Sequence, residues 1–356
     1  MVAKQPCISV IMPVHNEEKS ITRAVESILN QHFDNLELLL VDDGSTDRSG
    51  DLCDRYAERD YRVEVFHTQY QGKSAARNLA LSHARGEYVL FCDATGWLTP
   101  KSLGELREFA FSNQLDLAVG GFYIDTFYGD EGEHLSELKS LPTQVFKSQD
   151  LFRHEAYRLF DLNLLYHPWN KLFKRSYIEQ LGLTFEGDHW EDFPFVLQFL
   201  SDVERVGVLD TPCYHCIREN SEFNAQSYCS TMYEEREEEQ QLLIELYKHW
   251  DCLNHAASNE MIQRRYIERL VGCIENVCSK TSPLTSAQKA SVIRTMISTP
   301  SAAHALEVAQ PRSNMMKMML LPLKHGNVFM CKTMGHIITH VKNNNVHLFA
   351  TLKARR

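Results

Sequence analysis

Over its first 125 residues the chain alternates short apolar runs with amphipathic segments. The runs ISVIMPV (8–14), LELLLV (36–41), RVEVFH (62–67), EYVLFC (87–92) and LDLAVGGFYI (115–124) are β-rich and predict strands. Between the first two, Ile21, Val25, Ile28 and Leu29 recur at helical spacing. Thr99 followed by Pro100 reads as an N-cap and first helical residue ahead of LGELREFAF (103–111). Strands that are apolar throughout, alternating with helices, predict an α/β fold with a mainly parallel sheet covered on both faces.

The pattern then changes. Residues 125–148 are polar and read as a loop or hairpin over the sheet edge. A helix near Ser148 to Leu164, the segment HPWNKLFKR (167–175), a helix starting near Trp190 and a strand near Arg205 to Cys216 follow. From about Thr231 the periodicity is helical through EEREEEQQLLIELYKHW, EMIQRRYIERLVGCIENVCSK and TSAQKASVIRTMIS, which predicts a separate helical module.

The 356 residues suffice for about two domains with real cores, and 44% hydrophobic with 24% charged residues is an ordinary globular composition. Charge is unevenly placed. Val308 to Arg356 holds eight Lys/Arg and no acid, whereas residues 1–307 carry 29 basic against 47 acidic side chains, net −18. A basic end on an acidic body suggests that the end meets an anionic surface, membrane or nucleic acid. The start MVAKQPCISVIMPVHNEE lacks the apolar core and cleavage site of a signal peptide, and no run of about 18 apolar residues occurs, so a cytoplasmic chain is expected. The ten cysteines are scattered, which fits reduced thiols, and Cys213–Cys216 is a lone CxxC without the second pair that a zinc site needs.

Ligands of such sheets bind beyond the carboxyl ends of the strands. Polar clusters follow four of the strands: His15-Asn16-Glu17, Asp42-Asp43-Gly44-Ser45, Gln71-Gly72-Lys73 and Asp93-Ala94-Thr95. Neither GxGxxG after the first strand nor GxxxxGK[ST] is present, so a nucleotide would have to be held by other means.

PVHNEE (13–18), VDDGSTD (41–47), GKSAARNLAL (72–81), Asp93 at a strand end and WED (190–192) together closely resemble the inverting nucleotide-sugar glycosyltransferases of family 2. The resemblance covers roughly residues 7–222 and implies a GT-A fold, with 1–125 as the nucleotide-binding half, 126–222 as the acceptor half and 223–356 as a helical region with a basic tail. It also implies a UDP-sugar donor. Asp43 would accept the uracil imide N–H, Pro13, His15, Glu17 and Ser45 would line the nucleoside pocket, and Lys73, Arg77 and Asn78 would begin a helix beside the diphosphate.

Family members usually carry a DxD after the fourth strand, whose last Asp helps bind Mg²⁺ or Mn²⁺. Here Thr95 stands in that place and Asp93 remains as the candidate ligand. The family's Glu-Asp pair falls on Glu191 and Asp192, with Asp192 the implied base and Glu191 orienting it or holding the acceptor. Trp169, Asn170 and Trp190 are expected beside sugar and acceptor, and Arg218 of YHCIRENS (214–221) at the phosphates, although Cys216 stands where another Arg is common. A buried core role is the alternative for Trp169.

The tail segment MMKMMLLPLKHGNVFMCK (315–332) fits a helix on an anionic bilayer surface or a basic helix packed on the core. Nucleic acid is not expected as a partner, because stacking aromatics are sparse there. The implied activity is transfer of a sugar to a hydroxyl of a cell-envelope polysaccharide or lipid-linked acceptor at the inner face of the plasma membrane. A non-catalytic module that binds nucleotide, glycan or a partner transferase is the alternative.

Overall fold

The computed structural model describes residues 5–127, 134–187, 190–218, 228–310 and 312–344. The chain divides into two compact units, Met1–Asp125 with Leu138–Ile217 and Thr126–Glu137 with Arg218–Arg356. The expected division falls after residue 222, with halves meeting at 125/126 and a polar loop or hairpin over 125–148; the observed division lies at 217/218 and assigns 126–137 to the second unit.

In chain order the first elements are β1 (Ile8–Val14), α1 (Ile21–Leu29), β2 (Leu36–Asp43), α2 (Ser49–Arg59), β3 (Val63–Thr68), α3 (Lys73–His83) and β4 (Tyr88–Phe91). Next come β5 (Trp97–Leu98), α4 (Ser102–Ser112), β6 (Leu117–Phe127), β7 (His134–Lys139), β8 (Gln144–Val145) and α5 (Gln149–Asp161). The series ends with β9 (Lys171–Lys174), α6 (Arg175–Leu181), α7 (Asp192–Leu200) and β10 (Val206–Arg218).

The main path of the sheet runs β3-β2-β1-β4-β9-β6-β10-β5. The first four strands are parallel, with Ile8 opposite both Leu36 and Tyr88. Every residue of β1, β2 and β4 is buried, as a parallel sheet covered on both faces requires. Beyond β4 the pairing turns antiparallel, β4 to β9 and β9 to β6, and β10 pairs antiparallel with β5 and β8. The parallel half therefore gathers the carboxyl ends of β1 to β4 along one edge.

One local expectation is corrected. Helix α4 starts at Ser102 with Lys101 at its N-cap, φ 70°, not at Thr99. Thr99 is held by β10: its hydroxyl donates to the Pro212 carbonyl at 2.6 Å and its N–H to the Cys213 carbonyl at 3.1 Å, so it is not free to cap. The expected helix near Ser148 does begin with that residue as its cap, its Oγ accepting from the Leu151 N–H at 3.1 Å.

The second unit is helical: α8 (Met232–His249), α9 (Ala256–Cys278), α10 (Ser286–Ile297), α11 (Pro300–Val308), α12 (Asn314–Lys324) and α13 (Val328–Asn344). The basic segment contributes to its core, because Met316, Met319, Leu323, Cys331 and Ile338 are buried. The same helices expose Met318, Leu321 and Phe329, the last at 73%. Lys353, Arg355 and Arg356 lie outside the described residues, as do the 219–221 end of the YHCIRENS segment and 128–133 of the expected loop. Among the described residues no helix is long and apolar enough to cross a membrane. All ten cysteines are free thiols, and Cys213 of the CxxC is buried, donating to the Gly121 carbonyl.

Candidate active site

The loops after β1 and β2 are laced together by their polar side chains. Asn16, at φ 55°, accepts on Oδ1 from the N–H groups of Thr46 (2.8 Å) and Asp47 (3.3 Å), and its own N–H donates to Ser45 Oγ at 3.0 Å. Glu17 receives Ser20 Oγ–H at 2.6 Å, and its N–H reaches Ser49 Oγ at 2.7 Å. His15 is exposed, its Nδ1 2.8 Å from the Asp43 carbonyl oxygen and its ring 4.5 Å from that of Tyr70. Tyr70 is 66% exposed, so this edge ends in an open aromatic surface that the sequence reading missed. Pro13 is buried inside β1 opposite Val41, in a central strand covered on both faces.

Asp43 also departs from expectation. Its Oδ1 accepts from Thr68 Oγ1 and the Gln71 N–H, both at 2.9 Å, and its Oδ2 accepts from the Gly72 N–H at 2.8 Å. With three donors and 3% exposure, it anchors the β3–α3 loop and is not open to an imide N–H in this conformation. The anchored loop turns through Gly72 at φ 93°, a conformation that favours glycine, and delivers Lys73 as the first residue of α3.

Lys73 and Arg77 are one helical turn apart and share a face. Arg77 is 1% exposed and binds three carboxylates: Nη1 donates to Asp192 Oδ1 at 2.7 Å and Glu191 Oε1 at 2.9 Å, and Nη2 to Asp93 Oδ1 at 3.0 Å. Lys73 Nζ reaches the same Asp93 oxygen at 3.1 Å while its side chain stays 45% exposed. Burial opposes the charge of Asp192, but Arg77, then His167, outweigh it and hold that carboxyl well below the usual range. Asp93 is lowered likewise, with Lys73 and Arg77 overcoming its burial. Burial works against Arg77 too, and the three carboxylates keep it firmly protonated.

Several side chains expected at the ligands are engaged within the protein. Arg77 is spent on the carboxylates beneath the surface. The Asn78 amide is taken by the Phe185 backbone, donating to its carbonyl and accepting from its N–H, both at 2.8 Å. Trp169 is 3% exposed, stacked on Tyr214 at 4.6 Å, and Asn170 is fully buried with Nδ2 on the Gly120 and Leu164 carbonyls. Both brace the site from behind and neither offers a surface to a sugar. Trp190 is 40% exposed at φ 61°, immediately before Glu191. Arg218 is the last residue of β10 and belongs to the second unit.

His167 was not singled out by the sequence, yet its Nδ1 lies 3.0 Å from Asp192 Oδ2. Its ring is stacked 5.2 Å from Trp169 and edge-on to Tyr166 at 4.7 Å. Its carbonyl receives the ammonium of Lys171, a fully buried lysine that also donates to Asn170 Oδ1 at 2.6 Å and that burial lowers to about 7. A histidine two residues before a tryptophan carries no periodic signal; only its place in HPWNK marked it.

The residues present do not fit a divalent cation held by the protein. Asp93 is the one carboxylate at the end of β4, and its Oδ1 is shared by two cations, Lys73 and Arg77. Thr95 supplies a hydroxyl in place of a second carboxylate, and Arg23 donates to its carbonyl at 3.1 Å. Among the described residues no group of three His, Cys, Asp or Glu side chains converges on a metal position. A hard dication prefers several anionic oxygens, and the ammonium already beside Asp93 opposes a further positive charge there.

The sequence profile of glycosyl transferase family 2 matches residues 9–182. EpsJ of Bacillus subtilis (strain 168), described as an uncharacterized glycosyltransferase, is 32% identical over 252 residues, covering 69% of this chain and 71% of EpsJ. GgaB of the same strain, named a minor teichoic acid biosynthesis protein, is 28% identical over 214 residues, which are 58% of this chain and 22% of GgaB. Among solved structures, S. aureus TarS 1–349 superposes with a TM-score of 0.60 at 19% identity, over 92% of this chain and 90% of that one, and so shares the GT-A fold. On the family profile and the EpsJ match, the chain belongs to glycosyl transferase family 2 and is a glycosyltransferase.

Proposed function

We propose that the chain moves a sugar, with inversion at C1, from a UDP-sugar to a hydroxyl of a cell-envelope polysaccharide or lipid-linked acceptor. The observation that carries this reading is the joining of Asp93, Glu191 and Asp192 by Arg77 at the carboxyl edge of the parallel strands, with Lys73 open beside them.

A diphosphate needs positive charge that reaches the surface. Lys73 supplies it together with the N–H groups of the first turn of α3. The exposed Tyr70 and His15 rings offer the nucleobase a stacking surface, above the loop that Asp43 fixes. The shared fold of TarS, crystallised with UDP-GlcNAc and with UDP, supports a uridine nucleotide. GgaB's teichoic acid role supports an envelope glycan as acceptor.

Inversion is a single displacement: the acceptor oxygen attacks C1 opposite the departing diphosphate and must lose its proton as it does so. The group that takes the proton belongs to the cluster around Asp192, with Glu191 steadying Arg77 and the acceptor side and Trp190 presenting an apolar ring to a sugar. No step is routed through a metal; Lys73 carries the charge stabilisation on the diphosphate. The exposed Lys317, Met318, Leu321, Lys324 and Phe329 fit an anionic membrane surface, where each lysine contributes about 1 kcal/mol, and the chain would act there from the cytoplasmic side.

A thermal-shift panel of UDP, GDP and CDP sugars, with and without Mn²⁺, tests the donor. Stabilisation by UDP-sugars alone is expected, and preference for GDP or CDP would remove the uridine assignment.

A further inference from the structure

The geometry points to His167 as the catalytic base: Nε2 takes the acceptor's proton, and Asp192 orients the ring and stabilises the imidazolium. This rests on the transfer reaction proposed above.

Asp192 is poorly placed to act alone. Its Oδ1 is bound by Arg77 at 2.7 Å and its Oδ2 by His167 at 3.0 Å, and its side chain is 14% exposed. A carboxylate held far below its ordinary pKa by a buried guanidinium also has little affinity for a proton at neutral pH. His167 has the opposite properties. Its side chain is 36% exposed, and among the described residues nothing bonds its Nε2. An ionised carboxylate is acceptor-only, so the hydrogen between Asp192 and Nδ1 belongs to the ring, and Nε2 is left with a lone pair. Trp169 and Tyr166 fix the plane of the ring, and Lys171 fixes the backbone through the His167 carbonyl. A carboxylate, an imidazole pinned at Nδ1 and an open Nε2 form the base half of a triad, here aimed at a sugar hydroxyl.

In the step, the acceptor oxygen forms a bond to C1 as the bond from C1 to the β-phosphate oxygen breaks, and that electron pair leaves with UDP. The hydroxyl proton passes to Nε2. The imidazolium, facing Asp192, releases the proton to water once product has left. The other charged groups around the pair are Lys73 and Arg77 from α3, Asp93 after β4, Glu191 before α7 and Lys171 from β9. Burial lowers Lys171 to about 7, so a pH limb alone does not identify the base.

The test uses the full chain with ¹⁵N-labelled histidine, its His167 signals assigned by their loss in His167→Gln. With UDP bound at mildly alkaline pH, the Nδ1–H tautomer is expected, and its preference over Nε2–H should weaken when Asp192→Ala removes the acceptor. An Nε2–H tautomer in the wild type, or a tautomer ratio unchanged in Asp192→Ala, overturns the inference. In parallel, His167→Gln is expected to slow UDP release from UDP-GlcNAc, or from whichever UDP-sugar stabilises the wild type most, by about 10²-fold at saturating donor. Donor KM and the UDP thermal shift should stay within about twofold. Wild-type turnover in His167→Gln overturns the inference. A wild type that releases no UDP from any UDP-sugar overturns the transfer reading instead, a separable failure because the tautomer is read without turnover.

Discussion

Arg77 and Asp192 are 115 residues apart in sequence and 2.7 Å apart in the fold. That bond ties the first turns of α3 to the start of α7, and it places a buried cation under the carboxylates that ring the site. Removing the cation leaves Asp93, Glu191 and Asp192 facing one another with Lys73 alone. Arg77→Met is therefore expected to cost about 3–5 kcal/mol of stability at neutral pH, the usual penalty for breaking a buried ion pair from one side.

The sign of its pH dependence follows from the lowered carboxyls. Asp192 has a depressed folded-state pKa, so its stabilising contribution is present above the unfolded value of about 3.9 and is lost as pH falls through the folded one. In Arg77→Met the carboxyls rise and are protonated more readily. The gap in Tm between wild type and variant should narrow as pH is lowered from neutral toward about 4. A gap that stays constant would mean that the cluster is not held by Arg77.

Asp43 acts through a loop. Asp43→Ala leaves Thr68 Oγ1 and the N–H groups of Gln71 and Gly72 without their acceptor. A stability loss of about 1–3 kcal/mol is expected, together with loss of UDP-induced stabilisation as the N-terminus of α3 moves. A variant that still binds UDP like wild type would show that the loop does not set the nucleotide site.

Lys73 beside Asp93 makes metal use testable. Wild-type affinity for UDP should change little on adding Mn²⁺ or EDTA, and Lys73→Met should weaken it about tenfold, or 1.4 kcal/mol. Thr95→Asp should introduce a Mn²⁺-dependent gain. If EDTA abolishes UDP binding by the wild type, the lysine is not the main counter-charge. Calorimetric titration decides between these outcomes.

The surface on α12 and α13 needs point changes rather than truncation. Deleting the chain from Val308 onward would strip Met319, Leu323 and Cys331 from the helical core. Leu321→Asp with Phe329→Asp alters only exposed side chains, so Tm should move little, within about 0.5 kcal/mol per site, while sedimentation with anionic liposomes falls sharply. Unchanged sedimentation would leave these helices with a purely structural role.

The parallel half of the fold was legible in the sequence because each strand is an apolar run followed by a polar cluster, and PVHNE, VDDGSTD and GKSAARN mark three of the strand ends. The division of labour among those residues was not. Asp43, Arg77 and Asn78 carry the side chains expected of ligands, but the backbone N–H groups and carboxylates that occupy them come from loops brought together only by folding. Trp169 was open to two readings, and its stacking on Tyr214 of β10 settles it as buried. His167 escaped notice because its partner, Asp192, is 25 residues away. Residues 126–137 lie in the polar stretch 125–148, which composition marks as a loop or hairpin but does not assign to the second unit.

The central claim is that the carboxylates gathered by Arg77 serve sugar transfer from a uridine nucleotide. It is tested most directly by measuring UDP release from UDP-GlcNAc and related UDP-sugars, with an envelope glycan as acceptor, for wild type and Asp192→Asn alongside UDP affinity. Asp192→Asn is expected to bind UDP within about twofold of wild type and to release it about 10²-fold or more slowly, because neither the amide nor an imidazole that has lost its carboxylate can accept the acceptor's proton as well. Equal turnover by the two proteins, or a wild type to which UDP does not bind, would contradict the claim.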